Sequence, residues 1–173
     1  AQLAADELGV PIERIRIVYG DTAELEAGEG TSGSRSIVAG GAAVVKACRA
    51  FLEMVSSKGY TIEEALKKMS GSWVEVFAEG GNIFSFGSHV AAVAIDPETK
   101  IIRVLKYVAI DDVGRAINPA VIEGQIAGGV IQGAAQALWE AARYDEKGYP
   151  LFTAIIDTGI PSAVEAFNIE SIF

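Results

Sequence analysis

The stretch that decides the fold is HVAAVAI (residues 89–95), followed by DPETK (residues 96–100) and IIRVLKYVAI (residues 101–110). The first and third runs are rich in β-branched and other apolar residues, which favour extended backbone. The run between them carries Asp and Pro, two residue types that favour turns. The sequence therefore predicts two neighbouring strands of a β-meander that are joined by a turn.

Helices and further strands are expected on both sides of this pair. Helices are predicted over residues 1–8, over residues 37–57 and from residue 118 to about residue 143. Another helix is predicted after Thr61, because Thr61 and Glu64 together form a capping box. Strands are predicted over residues 14–19 and 73–77, a long loop over residues 20–36, and a turn over residues 144–150. Strands paired by turns, with helices inserted in blocks, indicate an α+β fold, in which an antiparallel or mixed β-sheet meander packs against several helices.

Length, composition and charge exclude several classes of protein. The chain has 173 residues, half of them hydrophobic, and a formal net charge of −9. This length is typical of a single domain with a hydrophobic core. Nucleic acids and anionic membrane surfaces are not expected as partners, because both require clustered Lys and Arg. No segment resembles a signal peptide or a membrane span, and the single Cys48 cannot form an internal disulfide, so we expect a cytoplasmic protein.

The loop GEGTSGSRS (residues 28–36) contains the spacing G-x-G-x-x-G, which is found in dinucleotide-binding turns. In such a turn the first glycine lies at the end of a strand. Here the predicted strand ends near Tyr19, nine residues before Gly28. The spacing matches and its context does not, so the loop does not indicate NAD binding.

The same loop has the residue types of an anion pocket. Ser32, Ser34 and Ser36 offer hydroxyl groups, Arg35 offers a guanidinium, and a helix is predicted to start directly afterwards. The free N–H groups at a helix start bind anions. A serine-rich helix cap that binds nothing is an equally good interpretation of these residues.

A second candidate is the predicted helix PAVIEGQIAGGVIQGAAQALWE, which starts at Pro119. Gln125 and Gln132 are seven residues apart and project from the same face, with Gly128 and Gly129 between them. Each glycine costs a helix about 1 kcal/mol, so close approach of a backbone or a flat ligand is expected. The alternative is tight helix packing with glutamines on the surface.

The sequence offers few other groups for chemistry. With His89 as the one histidine and Cys48 as the one cysteine, a protein-ligated zinc or iron–sulfur site is not expected. The residues also assemble into no convincing Ser-His-Asp set. His89 is expected to be a structural imidazole, and the acidic pair Asp111 and Asp112 is expected to cap a turn. We therefore assign no catalytic residue and no metal ligand.

Four long stretches resemble one known family in order and spacing. They are GEGTSGSRSIVAGGAAV, FGSHVAAVAIDPETKIIRVLKYVAIDDVGRAINP, EGQIAGGVIQGAAQALWE and YDEKGYPLFTAIIDTGIPSAVE. Together they resemble the molybdenum-binding large subunit of the xanthine dehydrogenase, aldehyde oxidase and aerobic carbon monoxide dehydrogenase family. The resemblance covers nearly the whole chain and implies that residues 1–173 are a single partial domain, part of the second molybdopterin-binding region of a larger subunit.

The resemblance also implies a cofactor and the residues that hold it. The cofactor is molybdopterin carrying molybdenum, in bacterial and archaeal members usually as the cytosine dinucleotide, and the protein supplies no direct metal ligand. By motif, Gly33, Ser34, Arg35 and Ser36 would cradle the pterin and its phosphate-bearing tail. Gln125 would hydrogen-bond the pterin or the dinucleotide portion.

The family reaction implies further partners. It hydroxylates a carbon centre of a small molecule, such as an aldehyde, an N-heterocycle or CO, with water as the oxygen source, and electrons leave through iron–sulfur and FAD-binding subunits or domains. Two family motifs are not found in the sequence: a glutamine-bearing glycine motif, expected before Ala1, and the catalytic glutamate, expected after Phe173. We therefore expect a piece of such a subunit that is inactive alone. A non-catalytic assembly module and, less favoured, a nicotinamide-binding domain are the alternatives.

Overall fold

The computed structural model describes residues 1–25, 28, 30–69, 71 and 84–173, which divide into two units, Ala1–Phe84 and Ser85–Phe173. The first unit holds three α-helices: α1 (Gln2–Leu8), α2 (Ala42–Ser57) and α3 (Ile62–Lys68). The second holds strands β1 (Phe86–Ile95), β2 (Ile102–Asp112) and β3 (Ile169–Ile172) and helix α4 (Pro119–Leu138). Four α-helices together with a three-stranded sheet confirm the predicted α+β class. The predicted strand at residues 73–77 lies outside the described residues.

The three helices of the first unit form around small buried side chains. Helix α1 ends at Gly9, whose φ of 64° is left-handed and easily adopted by glycine. Helix α1 packs on α2, and Arg49 of α2 donates two hydrogen bonds of 3.0 Å to the carboxylate of Glu7. The buried residues of the three helices are Ala4, Ala5, Cys48, Val55 and Ala65.

Helix α3 begins with the predicted capping box. The hydroxyl oxygen of Thr61 accepts from the Glu64 N–H at 3.2 Å, and the Glu64 carboxylate accepts from the Thr61 N–H at 2.9 Å. The Thr61 backbone N–H and then its hydroxyl lower the pKa of Glu64, because both stabilise the ionised carboxylate. The start of this helix is therefore determined by two residues that are three positions apart in sequence.

The strand predicted over residues 14–19 is wrong. Residues Ile12–Arg14 form a 3₁₀ turn after Pro11, and residues 15–19 have no regular secondary structure. Ile17 and Tyr19 are exposed, at 51% and 82%. An alternating sequence becomes a strand only when a neighbour supplies the hydrogen-bond ladder, and no described residue of this unit does so.

The predicted hairpin is the centre of the second unit. Strands β1 and β2 pair antiparallel along their whole length, with an irregularity between Ala92 and Val93, and β3 pairs with β2 in parallel. The turn is closed by Asp96, whose carboxylate accepts from the N–H groups of Glu98 and Thr99 at 2.8 and 3.0 Å. The sheet is thus mixed, which was one of the two forms predicted. Its third strand was not predicted.

Helix α4 begins where it was predicted and ends five residues earlier. Asn118 caps it by accepting from the Val121 N–H, with Pro at the first position. The helix ends before Trp139, because the backbone of Ala141 donates instead to the Thr158 carbonyl at 2.8 Å. The following turn is confirmed, since Tyr144 pairs with Pro150 in an isolated antiparallel bridge.

The capping box gives a first testable prediction. Thr61→Ala removes the oxygen that accepts from the Glu64 N–H, so the free energy of unfolding should fall by about 1 kcal/mol. Urea unfolding followed by circular dichroism measures this loss. Ser56→Ala is the matched control, because its hydroxyl makes no hydrogen bond within the described ranges. Equal unfolding midpoints for Thr61→Ala and the unsubstituted protein would contradict the prediction.

Candidate functional site

The glycine and serine loop is a tight turn in front of a helix. Gly33 and Ser34 both have positive φ, 62° and 55°, and Ser34 is one of few residues other than glycine to do so. A hydrogen bond joins the hydroxyls of Thr31 and Ser36 across the turn. The chain then enters a π-helical segment, Ser36–Gly41, which leads directly into α2. The structure thus brings Gly33, Ser34, Arg35 and Ser36 together on one turn.

The polar groups of this turn face outward. Residues 33–36 are all exposed, and the Ala39 N–H donates to the Arg35 carbonyl at 2.8 Å. The N–H groups of residues 35–38 precede this bond and are the first four of the helical segment, counted from its N-cap, so they have no carbonyl partner in a preceding turn. Arg35 makes no ion pair within the part of the chain that the structure describes. The arrangement can bind an anion through backbone amides, hydroxyl groups and one guanidinium.

The context of the loop differs from that of a nicotinamide-binding turn. No paired strand leads into it among the described residues, since residues 15–19 form none. A dinucleotide turn requires that strand, because the strand aims the pyrophosphate at the helix that follows. The structure therefore adds nothing in favour of NAD.

Gln125 lies in the second unit, on an exposed face of α4 that includes two glycines. Gly128, Gly129 and Gln132 share this face and are also exposed. A Cβ atom added at Gly124, Gly128, Gly129 or Gly133 would meet no atom within 4 Å beyond its own helix turn. The tight packing considered from the sequence is thus absent around these glycines within the described residues. The face is bare and can receive a flat or extended molecule.

A groove runs along each side of α4 in this unit. One, of about 320 Å³, lies between the helix and the β1–β2 sheet and is bounded by His89, Tyr107 and Gly133. The other, of about 570 Å³, lies between Gln132 and the segment that holds Ile160 and Pro161. The two grooves therefore lie beside residues 127–138 of the helix, C-terminal to Gln125.

His89 is the structural imidazole that the sequence predicted. Its Nδ1 lies 3.1 Å from the Tyr107 hydroxyl, and its Nε2 lies 3.1 and 3.2 Å from the two carboxylate oxygens of Asp111. The Tyr107 ring meets the His89 ring edge-on at 5.7 Å. Sequence analysis missed the pairing with Asp111, because it depends on the antiparallel register that sets His89 opposite Ala109.

The described ranges contain neither a cluster of metal ligands nor a membrane-spanning helix. Among residues 1–25, 28, 30–69, 71 and 84–173, no group of three or more His, Cys, Asp or Glu could hold a metal ion. In the same residues, no helix is long and apolar enough to cross a membrane. The candidate residues that the structure offers are therefore those of the turn in the first unit and of α4 in the second.

Known proteins resemble this chain along almost its entire length. Residues 1–167 match the family described as the molybdopterin cofactor-binding domain. The nicotine 6-hydroxylase large subunit of Paenarthrobacter nicotinovorans is 30% identical over 94% of this chain and 25% of its own length. The carbon monoxide dehydrogenase large chain of Afipia carboxidovorans is 30% identical over 95% of this chain and 25% of its own.

Solved structures show the same relation. Quinoline 2-oxidoreductase from Pseudomonas putida 86 superimposes with a TM-score of 0.78 and 27% identity, over 98% of this chain and 26% of that one. A Cu,Mo-CO dehydrogenase gives a TM-score of 0.77 over the same shares. The chain thus spans about a quarter of the length of the relatives it matches. From the match over residues 1–167, this chain belongs to the molybdopterin cofactor-binding domain family.

Proposed function

We propose that this chain is the cofactor-holding part of a molybdenum hydroxylase large subunit, within its second molybdopterin-binding region. The observation that carries the proposal is the exposed turn at Gly33–Ser36, whose amides, hydroxyls and guanidinium face solvent in a chain of this family. With a formal net charge of −9, the chain attracts no anion through its overall field. A phosphate-bearing cofactor must therefore be held by such local donors.

The turn would hold the phosphate-bearing tail of the cofactor. Ser34 has a left-handed φ of 55° and Arg35 follows with a φ of −91°, an alternation that turns successive backbone N–H groups toward one side and favours anion binding. The hydroxyls of Ser34 and Ser36 add neutral donors, and Arg35 adds a charged one. These groups fit a pyrophosphate, which has several acceptor oxygens and carries negative charge.

Gln125 would bind a different part of the same cofactor. Its carboxamide has both donor and acceptor atoms, as required to pair with the edge of a pterin or a cytosine. The neighbouring Gly128 and Gly129 present no side chain, so a ring can approach the helix backbone. We propose the cytosine dinucleotide form of the cofactor on this basis and on the family resemblance.

The bound cofactor would supply the redox chemistry through its molybdenum, with hydroxylation of a small-molecule substrate by water as the reaction. The residues of this chain bind and orient the cofactor and contribute no base. We therefore expect the 173-residue polypeptide alone to show no hydroxylase turnover. Detectable turnover of an aldehyde, an N-heterocycle or CO by the purified polypeptide would contradict this expectation.

The proposed assembly includes other protein parts. One relative is named as subunit gamma of a dehydrogenase complex, 6-hydroxypseudooxynicotine dehydrogenase. We propose that this chain works with the remainder of a large subunit and with iron–sulfur and FAD-binding subunits or domains, in the cytoplasm. These partners would carry electrons away from the cofactor.

The decisive experiment uses the native assembly, isolated from its source cells through this chain. Molybdenum is counted by elemental mass spectrometry, and the nucleotide released by acid is identified. We expect about one molybdenum per chain and release of CMP. An assembly that contains the partner subunits but neither metal nor nucleotide would overturn the proposal. It would favour the alternative that this chain is a non-catalytic assembly module.

Substitution of the two binding groups tests the site residues. Arg35→Ala removes the one guanidinium of the turn, and Gln125→Ala removes the carboxamide of the bare helix face. In the whole assembly, each should lower molybdenum and CMP content, by roughly tenfold for Arg35 because a charge-assisted bond is lost. Circular dichroism should show an unchanged fold.

Matched controls are available on the same helices. Lys46→Ala removes an exposed positive charge eleven residues beyond Arg35, and Gln136→Ala removes a carboxamide about 16 Å along α4 from Gln125. Both should retain full cofactor. Full molybdenum occupancy in the Arg35 and Gln125 variants would reject these two residues as cofactor ligands.

The backbone of the turn can be tested separately. Gly33→Ala places a Cβ on a residue with φ of 62°, which costs roughly 1–2 kcal/mol and drives the turn away from its conformation. We expect reduced CMP content in the assembly. Gly40→Ala is the control, because Gly40 lies in the helical segment with no atom within 4 Å of the added Cβ. Equal CMP content in the two variants would show that the turn conformation does not matter for binding.

A further inference from the structure

The first half of α4 has little packing to hold it in place. The buried residues of α4 are Val130 and Ala135, and both lie in its second half. Residues 119–129, which include Gln125, are exposed or half-buried. Gln125 therefore lies between the Asn118 cap, where the chain enters the helix, and the buried residues of its second half.

The connection that enters α4 starts from a tightly fixed residue. Asp111 lies near the end of β2, and its two carboxylate oxygens are 3.2 and 3.1 Å from Nε2 of His89 on β1. Gly87, also on β1, lies so close to Asp111 that an added Cβ would overlap its carboxylate and the Ile110 carbonyl. The carboxylate of the next residue, Asp112, accepts from the Gly114 N–H at 2.9 Å. The turn that leads toward the Asn118 cap therefore begins at the last residue of β2.

The His89 ring is itself held from both sides. Carboxylate oxygens accept hydrogen bonds, so Nε2 donates toward Asp111, while Nδ1 lies 3.1 Å from the Tyr107 hydroxyl. Tyr107 packs against the Phe167 ring at 5.9 Å, just before β3. The facing part of α4 contributes Gly129, Gly133 and other small apolar residues to the groove, so no charge from the helix competes for His89.

We propose that His89 is a positioning residue, which fixes Asp111 and thereby the entry of α4 that sets where Gln125 lies. The proposal rests on the proposed function only for the role of Gln125. It assigns a task to a histidine that touches no cofactor-binding residue. In the absence of the His89–Asp111 hydrogen bond, the entry of α4 loosens while the half of α4 packed through Val130 and Ala135 remains.

The test is amide hydrogen exchange of α4 in the native assembly, both loaded and stripped of cofactor. His89→Ala should speed exchange of residues 121–129 by about tenfold, since a hydrogen bond to a charged group is lost, and leave residues 130–138 unchanged. His89→Gln can still donate an N–H to Asp111 and should restore slow exchange. The molybdenum content should fall in His89→Ala and stay close to that of the unsubstituted protein in His89→Gln.

The control is Glu170→Gln, which removes the 3.0 Å ion pair with Lys106 on the opposite face of the same sheet. It should leave the exchange of residues 121–129 unchanged. Uniformly faster exchange across α4 in both His89 variants, or no change at residues 121–129, would overturn the proposal. If His89→Ala speeds exchange as expected and Gln125→Ala keeps full cofactor, the positioning of the helix stands and the cofactor role of Gln125 fails.

Discussion

The antiparallel ladder between β1 and β2 is the constraint on which the rest of the second unit depends. Its register is set at one end by the Asp96 turn and holds along both strands apart from one irregularity at Ala92 and Val93. Because side chains alternate across a strand, this register brings His89 and Tyr107 to one face. Ala109 lies on the same face of the sheet and is fully buried. A slip of one residue would move all of these groups to the other side of the sheet.

The ladder matters more than usual because the core around it is small. The buried residues described in this unit are Ala109, Val130 and Ala135, and no large side chain of the described ranges is completely buried. Apolar side chains on the opposite face of the sheet stay exposed, such as Phe86 at 73% and Val90 at 67%. Backbone hydrogen bonds and short local motifs therefore carry much of the order in this unit.

The parts of the fold that could be predicted are those determined by neighbouring residues. The Thr61–Glu64 capping box, the Asn118 cap and the Asp96 turn each involve residues within four positions of one another, so their chemistry is visible in the sequence. Strand β3 could not be found in this way, because four residues, Ile169–Ile172, become a strand only by pairing with β2 about 60 residues earlier. The end of α4 was missed for a similar reason, since it depends on a bond between Ala141 and Thr158.

The residues of the candidate sites also fall into those that a local sequence pattern predicts and those that depend on distant pairing. The turn at residues 33–36 was predictable as a possible anion pocket, because glycine, serine and arginine before a helix are a local pattern. The link from His89 to Asp111 needed the register of the sheet, which only the structure supplies.

The glycines of α4 lower the stability of the helix and also leave open the surface that the proposed function requires. Each costs a helix about 1 kcal/mol relative to alanine, and a soluble helix normally offsets that cost by packing another backbone closely against it. Here the space beside Gly124, Gly128, Gly129 and Gly133 is open for at least 4 Å within the described chain. Packing inside this unit therefore does not offset the cost of these glycines. Under the proposed function, a cofactor that lies flat on the helix, with Gln125 at its edge, would offset that cost.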